Sequence, residues 1–217
     1  MIGSARRRNV CPPPSFEETP RNRLRFHSAA RADRTVLYSL PDSVTMRKIR
    51  FCVATSLDGF IAGPKGEADW IEPDPEVDFA ALWAQFDTGI MGRRTYEAAV
   101  KRLGEKAFAS IKIIVFSRTM KPQDHPQITV IPELDAAWIC SMKKQPGKDI
   151  WLFGGAQLFR AFLDAGCIDT VEVNIIPVML GGGIPLLPPP YGPVKLKLTS
   201  SKVYRSGRIA VAYDVKS

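Results

Sequence analysis

Three short runs carry the residue types that bind phosphate: Met91-Gly92-Arg93-Arg94-Thr95, Phe153-Gly154-Gly155-Ala156 and Phe116-Ser117-Arg118-Thr119. Each stands where an apolar, strand-like run ends, the position at which a parallel sheet presents its ligands. In the first run, Gly92 permits close backbone approach, and the amides of Arg93, Arg94 and Thr95 open a helix, where phosphate is favoured. Guanidinium groups there add charge-assisted, bidentate contacts. A plain β–α turn with solvated arginines is the competing reading. In the second, adjacent glycines admit backbone conformations closed to other residues and let a pyrophosphate or a ring reach the main chain. Tight packing of a helix on a strand would use the same pair. In the third, a hydroxyl and a guanidinium suit a monophosphate, although a polar loop has the same composition.

Several chemistries are excluded by what the chain lacks. There is no G-x-G-x-x-G fingerprint, no Walker motif, no G-x-S-x-G elbow, no H-E-x-x-H pair and no H-x-E with P-C-x-x-C. The two histidines, His27 and His125, have no partners at metal-ligand spacing, so no metal site is expected. Cys11, Cys52, Cys140 and Cys167 form no C-x-x-C pair, and two of them sit in apolar runs. They read as free thiols in a reducing compartment, and a cytoplasmic protein is expected. No apolar run reaches the length of a membrane span, and the N-terminus lacks the apolar segment of a secretory signal.

These runs must be held by a frame, and apolar periodicity supplies one from Ile49 onward. Strands are expected at 49–55, 88–92, 111–117, 127–131, 149–153, 168–176, 194–204 and 208–215, and helices at 76–86, 93–101, 133–143 and 155–164. Phe79, Leu82, Trp83 and Phe86 form the stripe of a helix lying on a sheet. Ile111–Ser117 is nearly continuous in apolar residues, as a strand covered on both faces would be. Short βα units imply a mostly parallel sheet, and Arg205-Ser206-Gly207 between the last two runs implies a terminal antiparallel hairpin. One mixed α/β sheet in one domain, 46–217, is the expectation.

Residues 1–45 differ. They hold eight arginines against Glu17, Glu18, Asp33 and Asp42, which is half of the net charge of +8. They contain Cys11-Pro12-Pro13-Pro14 and no sustained period, so a disordered basic extension is expected, with Met46 as an alternative start. A transit peptide is a further reading, weakened by the acidic residues. A tail of this charge can also bind nucleic acid.

The motifs gain force in combination. Ser56-Leu57-Asp58-Gly59-Phe60-Ile61-Ala62, Asp69-Trp70, Gly92-Arg93-Arg94-Thr95-Tyr96-Glu97, Phe116-Ser117-Arg118-Thr119, Gly154-Gly155 and Pro177-Val178-Met179-Leu180-Gly181-Gly182-Gly183-Ile184-Pro185-Leu186 follow in that order. This series resembles the dihydrofolate reductase superfamily, on the branch with the reductase half of the riboflavin-biosynthesis deaminase-reductase and its stand-alone relatives. The resemblance covers about residues 47–216. It implies a three-layer α/β fold, a mostly parallel eight-stranded sheet with helices on both faces, and NADPH as hydride donor to a small pterin-like or pyrimidinone-like heterocycle.

Roles follow from the resemblance residue by residue. Gly92, Arg93, Arg94 and Thr95 match the turn holding the NADPH phosphates, and Ser117 and Arg118 match the pocket for its 2′-phosphate. Gly154 and Gly155 match a pair joined by a cis bond beside the pyrophosphate, the stretch Asp58–Ala62, with Ile61, matches the border of the nicotinamide, and Ala54, Ala156 and Gln157 are further cofactor-binding candidates. Trp70 matches an active-site tryptophan, and Asp58 and Asp78 are the candidate polar residues near the reacting centre. Asp78 falls near the carboxylate that folate reducers use for protonation, and Asn174 where a hydroxyl residue supports it. Capping of a helix explains Asp78 equally, and the loop Ile71–Glu76 does not match the folate enzymes.

The riboflavin branch's 5-amino-6-(5-phosphoribosylamino)uracil reductase activity is one implied activity. Against it stand the missing deaminase signature and a ribose-phosphate site with only Lys65 and Lys101 as candidates. Two rival readings remain: a nucleotide-binding sensor of the same fold without catalysis, and nucleic-acid binding by the tail. A homodimer through the terminal hairpin or an edge strand is implied by the resemblance alone.

Overall fold

The computed structural model describes residues 46–190 and 192–216; the expectations for residues 1–45 lie outside them. Eight strands form one sheet in the order β5-β4-β3-β6-β1-β7-β10-β9. They are β1 (Ile49–Ser56), β3 (Phe86–Gly92), β4 (Lys112–Phe116), β5 (Thr129–Ile131), β6 (Asp149–Gly154), β7 (Thr170–Ile176), β9 (Leu196–Val203) and β10 (Ile209–Val215). All neighbours pair in parallel except β7–β10 and β10–β9, so the hairpin closes the sheet antiparallel as expected. Each expected strand exists, with ends moved by a few residues.

Alternation sorts the side chains into two cores. Ile49, Phe51, Ile90, Ile114, Ile150 and Leu152 meet α3 (Ala136–Lys143) and α4 (Ala156–Asp164), which bury Ile139, Met142, Phe159 and Phe162. On the opposite face, Met91, Ile113 and Val115 meet α2 (Arg93–Leu103) through Tyr96, and Trp83 of α1 (Phe79–Trp83) packs on Trp151 at 5.1 Å and Phe153 at 5.6 Å. Helices thus cover both faces, and β4, with Ile113, Ile114 and Val115 buried, is the doubly covered strand that its composition announces.

Three expectations need correction. The helix expected at 76–86 is only Phe79–Trp83, and Phe86 opens β3 instead. Phe86 is buried against Trp151 at 5.0 Å and beneath the Arg50 guanidinium at 4.7 Å, while Phe79 is exposed. Packing of an aromatic into the sheet overrides the helical stripe here. Second, the sheet is not alone: β2 (Phe60–Ala62) pairs antiparallel with β8 (Ile184–Pro185) in a two-stranded sheet too short to leave a periodic signal. Third, free thiols are found at Cys52 and Cys167 but not at Cys140, which is disulfide-bonded. Burial pushes the Cys52 thiol up, so it stays protonated.

No helix among the described residues is long and apolar enough to cross a membrane. Among the same residues no group of three or more His, Cys, Asp or Glu is placed to hold a metal ion.

Candidate cofactor and substrate site

Strand register brings the three turns together. Met91 pairs with Gly154 and Gly92 with Phe116, so β6, β3 and β4 end side by side. The Gly154–Gly155 peptide bond is cis, and Gly154 has φ +100, a conformation that favours glycine. A Cβ on Gly92 would lie 3.9 Å from Gly155 N, and one on Gly155 would lie 3.3 Å from Thr95 Oγ1. The first two turns therefore abut, backbone to backbone.

Both helices that leave this junction are open to an anion. Gly92 and Gly155 are the N-caps of α2 and α4; neither helix has a side-chain cap, and neither has an acidic residue in its first turn. Their first amides are unsatisfied within the helix, and the dipoles add positive potential. Arg93 joins the third turn to this edge: Nη1 donates to Thr119 Oγ1 at 2.8 Å, and Nε to Glu97 Oε1 at 2.7 Å. The Ser117 hydroxyl oxygen accepts from the amides of Thr119 (3.2 Å) and Met120 (3.1 Å), which sets the turn's shape. The Arg94 and Arg118 side chains are exposed. Ala156 is buried and Gln157 exposed in the first turn of α4.

This set fits a dinucleotide carrying a diphosphate and a further phosphate: a side-chain-free backbone cradle, two uncapped helix starts and a rim of cations. Ala54 lies on β1 and Ile61 on β2 of the small sheet.

Asp58 is fully engaged in another task. Its Oδ1 accepts from Leu180 N at 3.1 Å and its Oδ2 from Gly181 N at 2.7 Å. Leu57 N to Val178 O (2.8 Å) and Leu186 N to Gly59 O (2.9 Å) complete the tie between the β1–β2 turn and the loop after β7. The Ser56 hydroxyl foremost, then these amides, hold the carboxyl below the usual carboxylate range despite desolvation. Asp58 is thus an ionised clamp on the Pro177–Leu186 loop. Asp78 is exposed and caps α1, its Oδ1 accepting from Ala81 N at 2.9 Å. Trp70 is half-buried and donates through Nε1 to Glu67 O at 3.2 Å, in a loop also held by Arg102 Nη1 on Ala68 O at 3.3 Å. Lys65 and Lys101 are exposed.

Spacing in the sequence does not announce two ion pairs between elements distant in the chain. Arg50 holds Glu172 through Nε at 2.6 Å and Nη2 at 2.8 Å, and reaches Gln85 of the α1–β3 connection at 2.7 Å. Arg208, buried at the start of β10, pairs with buried Asp74 at 3.5 Å and donates to Glu72 O. Ser206 Oγ donates to the Asp74 carboxylate at 2.5 Å, and Arg205 N to Glu76 at 3.0 Å. The loop leading into α1 is thereby fastened to the hairpin turn. Local pattern could not show this, because Asp74 and Ser206 lie 132 residues apart.

An eight-stranded mixed sheet with helices on both faces and phosphate-type turns at one strand edge defines a dihydrofolate-reductase-like α/β protein. A model of the RibD C-terminal domain matches residues 47–210, and the chain belongs to that family. It is 32% identical over 185 residues to the uncharacterized protein YyaP of Bacillus subtilis, covering 80% of this chain and 98% of that one. A crystal structure from Shewanella sp. PV-4, provisionally named a riboflavin biosynthesis protein, is 28% identical with a TM-score of 0.69, over 79% of this chain and 100% of that one. Dihydrofolate reductase from Enterococcus faecalis, in complex with NADP(H), shares the fold at 16% identity and a TM-score of 0.58, over 78% and 97% of the two chains. Family and fold together support a function of the reductase type.

Proposed function

We propose that the protein is an NADPH-dependent reductase that transfers hydride to a small heterocycle of pterin or pyrimidinone type. The carrying observation is the junction of Gly92 with Gly154–Gly155, from which α2 and α4 start without side-chain caps. Diphosphate would take the free amides of these two helices, with Arg94 adding charge, while Ser117 and Arg118 would take the 2′-phosphate. Bound there, the reduced nicotinamide supplies the hydride. The chain's own part is orientation and exclusion of water: the Asp58 clamp holds the Pro177–Leu186 loop, and the Arg208–Asp74 pair holds the loop before α1.

A specific observation favours a second reading, a nucleotide-binding sensor. Asp58 is committed to two amides and Asp78 to a helix cap, so neither stands as a free acid. In the reductase reading the substrate's proton then comes from water. A homodimer is part of the proposal, supported by β9, an edge strand exposed at all eight positions.

Thermal-shift titration with NADPH and NADH tests the cofactor site. At a hundred times Kd, binding stabilises the fold by about 2.7 kcal/mol, roughly 5–10 °C for a chain of this size. A shift with NADPH exceeding that with NADH is expected; no shift with either refutes the proposal. NADPH oxidation with pterins and pyrimidinones then separates reductase from sensor.

A further inference from the structure

Between α2 and the β4–β5 edge of the sheet lies a pocket of about 250 Å3. Its inner wall is apolar. Phe108, which ends the short helical turn Glu105–Phe108, and Ile113 of β4 are 6% and 3% exposed, and half-buried Ile128, just before β5, completes the wall. Ile113 stands three residues before Phe116, so this wall lies about 10 Å along β4 from the strand end that carries Ser117 and Arg118. The lining residues Lys106 and Gln127 are exposed, so the pocket has a mouth open to solvent.

The polar groups of the pocket suit an anion. Tyr96 is 6% exposed, and its phenol oxygen accepts from Gln127 Nε2 at 3.2 Å. The edge of His125 meets the same ring, with centroids 6.5 Å apart. A hydroxyl can both donate and accept, and an amide carries donor and acceptor together, so the pair has more capacity than it uses on itself. Whichever way the amide is turned, a phenol O–H or an amide N–H is left to donate. Lys106 adds positive charge, and among the described residues no carboxylate lines the pocket.

We infer that this pocket is a binding site, separate from the cofactor site, for a small aromatic carboxylate with a single ring. Size sets the limit on the ligand. An apolar cavity of roughly 150 Å3 holds benzene, whereas drug-sized ligands take roughly 300–1,000 Å3. A volume of about 250 Å3 accepts one ring with its carboxylate and excludes a dinucleotide. The ring rests on Phe108, Ile113 and Ile128, and the carboxylate meets the Lys106 ammonium and the Tyr96–Gln127 pair through charge-assisted hydrogen bonds. The site stands on its own residues and does not depend on the reductase reading.

The experiment titrates the full chain with benzoate and with benzyl alcohol, a neutral probe of similar size, by calorimetry with and without saturating NADPH. Benzoate is expected to bind in both conditions, and benzyl alcohol about fivefold more weakly, the worth of a solvent-exposed ion pair. Lys106→Met keeps the length of the side chain and removes its charge. It is expected to lower benzoate affinity about fivefold, to the level of the alcohol, with the wild-type melting temperature retained. Ala109→Phe, at an exposed residue that also lines the pocket, is expected to fill it and abolish binding of both probes. Should Ala109→Phe melt lower than wild type, Lys106→Met decides alone. Absent benzoate binding, equal binding of the two probes, undiminished benzoate affinity in Lys106→Met or in a stably folded Ala109→Phe, or benzoate binding that NADPH abolishes overturns the inference.

Discussion

Glu172→Gln is the perturbation whose size the structure sets most closely. Glu172 receives a bidentate guanidinium from Arg50 at 2.6 and 2.8 Å, with Thr170 Oγ1 donating at 3.0 Å. The two side chains are 15% and 22% exposed, between a surface pair, worth under about 1 kcal/mol, and a fully buried one, where loss of a partner costs about 3–5. Glutamine keeps one acceptor, and Arg50 keeps Asp149 at 3.3 Å and Gln85. Loss of the charge and of one charge-assisted bond leaves a cost of about 2 kcal/mol. For a domain of this size that lowers the melting temperature by roughly 4–8 °C at pH 7.

The cost must also depend on pH. Desolvation alone would raise the Glu172 carboxyl, but the hydrogen bond and charge of Arg50, helped by Thr170, carry it below its ordinary value. A depressed folded pKa contributes stability above the unfolded value, near 4.3, and loses it as pH falls through the folded one. The gap between wild type and Glu172→Gln, read from urea midpoints at pH 7, 5 and 4, should be full at pH 7 and shrink in acid. A gap under about 0.5 kcal/mol at pH 7 would refute the ion-pair reasoning, as would one that stays constant down to the lowest pH at which both proteins fold.

Other expectations are independent of that pair. Gly155→Val places branched carbon against Thr95 Oγ1, 3.3 Å from the Cβ position, and should abolish the NADPH-induced shift; an undiminished shift would remove Gly155 from the cofactor site. Arg118→Ala should weaken NADPH about tenfold and leave NADH unchanged, since only the former carries the extra phosphate; equal losses would count against a 2′-phosphate pocket. Asp58→Ala frees the amides of Leu180 and Gly181, so their hydrogen exchange should accelerate at neutral pH, while unaltered exchange would argue against the clamp. Phe162→Ala, at a site with no exposure, should cost about 3–5 kcal/mol in urea unfolding.

Local sequence determined much of this protein. The β1, β4 and β6 apolar runs, the helix starts at Arg93 and Ala156, and the Arg205-Ser206-Gly207 hairpin turn all lie close to where periodicity and turn residues put them. Those signals are short-range: backbone preference and the side on which each residue must bury. The family resemblance was legible too, because its glycine and hydroxyl turns keep their order along the chain. Tertiary structure alone decided what depends on distant partners. Phe86 became strand because Trp151 and Arg50 were there to pack with it. Asp58 became a clamp because the loop after β7 returned with two free amides. Asn174 Oδ1 is buried without a hydrogen-bond partner because strand pairing set Asn174 between Ala54 and Ala210, neither of which can donate from its side chain. Hydrogen-bond satisfaction is a property of three-dimensional neighbours, and neighbours more than a hundred residues apart leave no trace in local spacing.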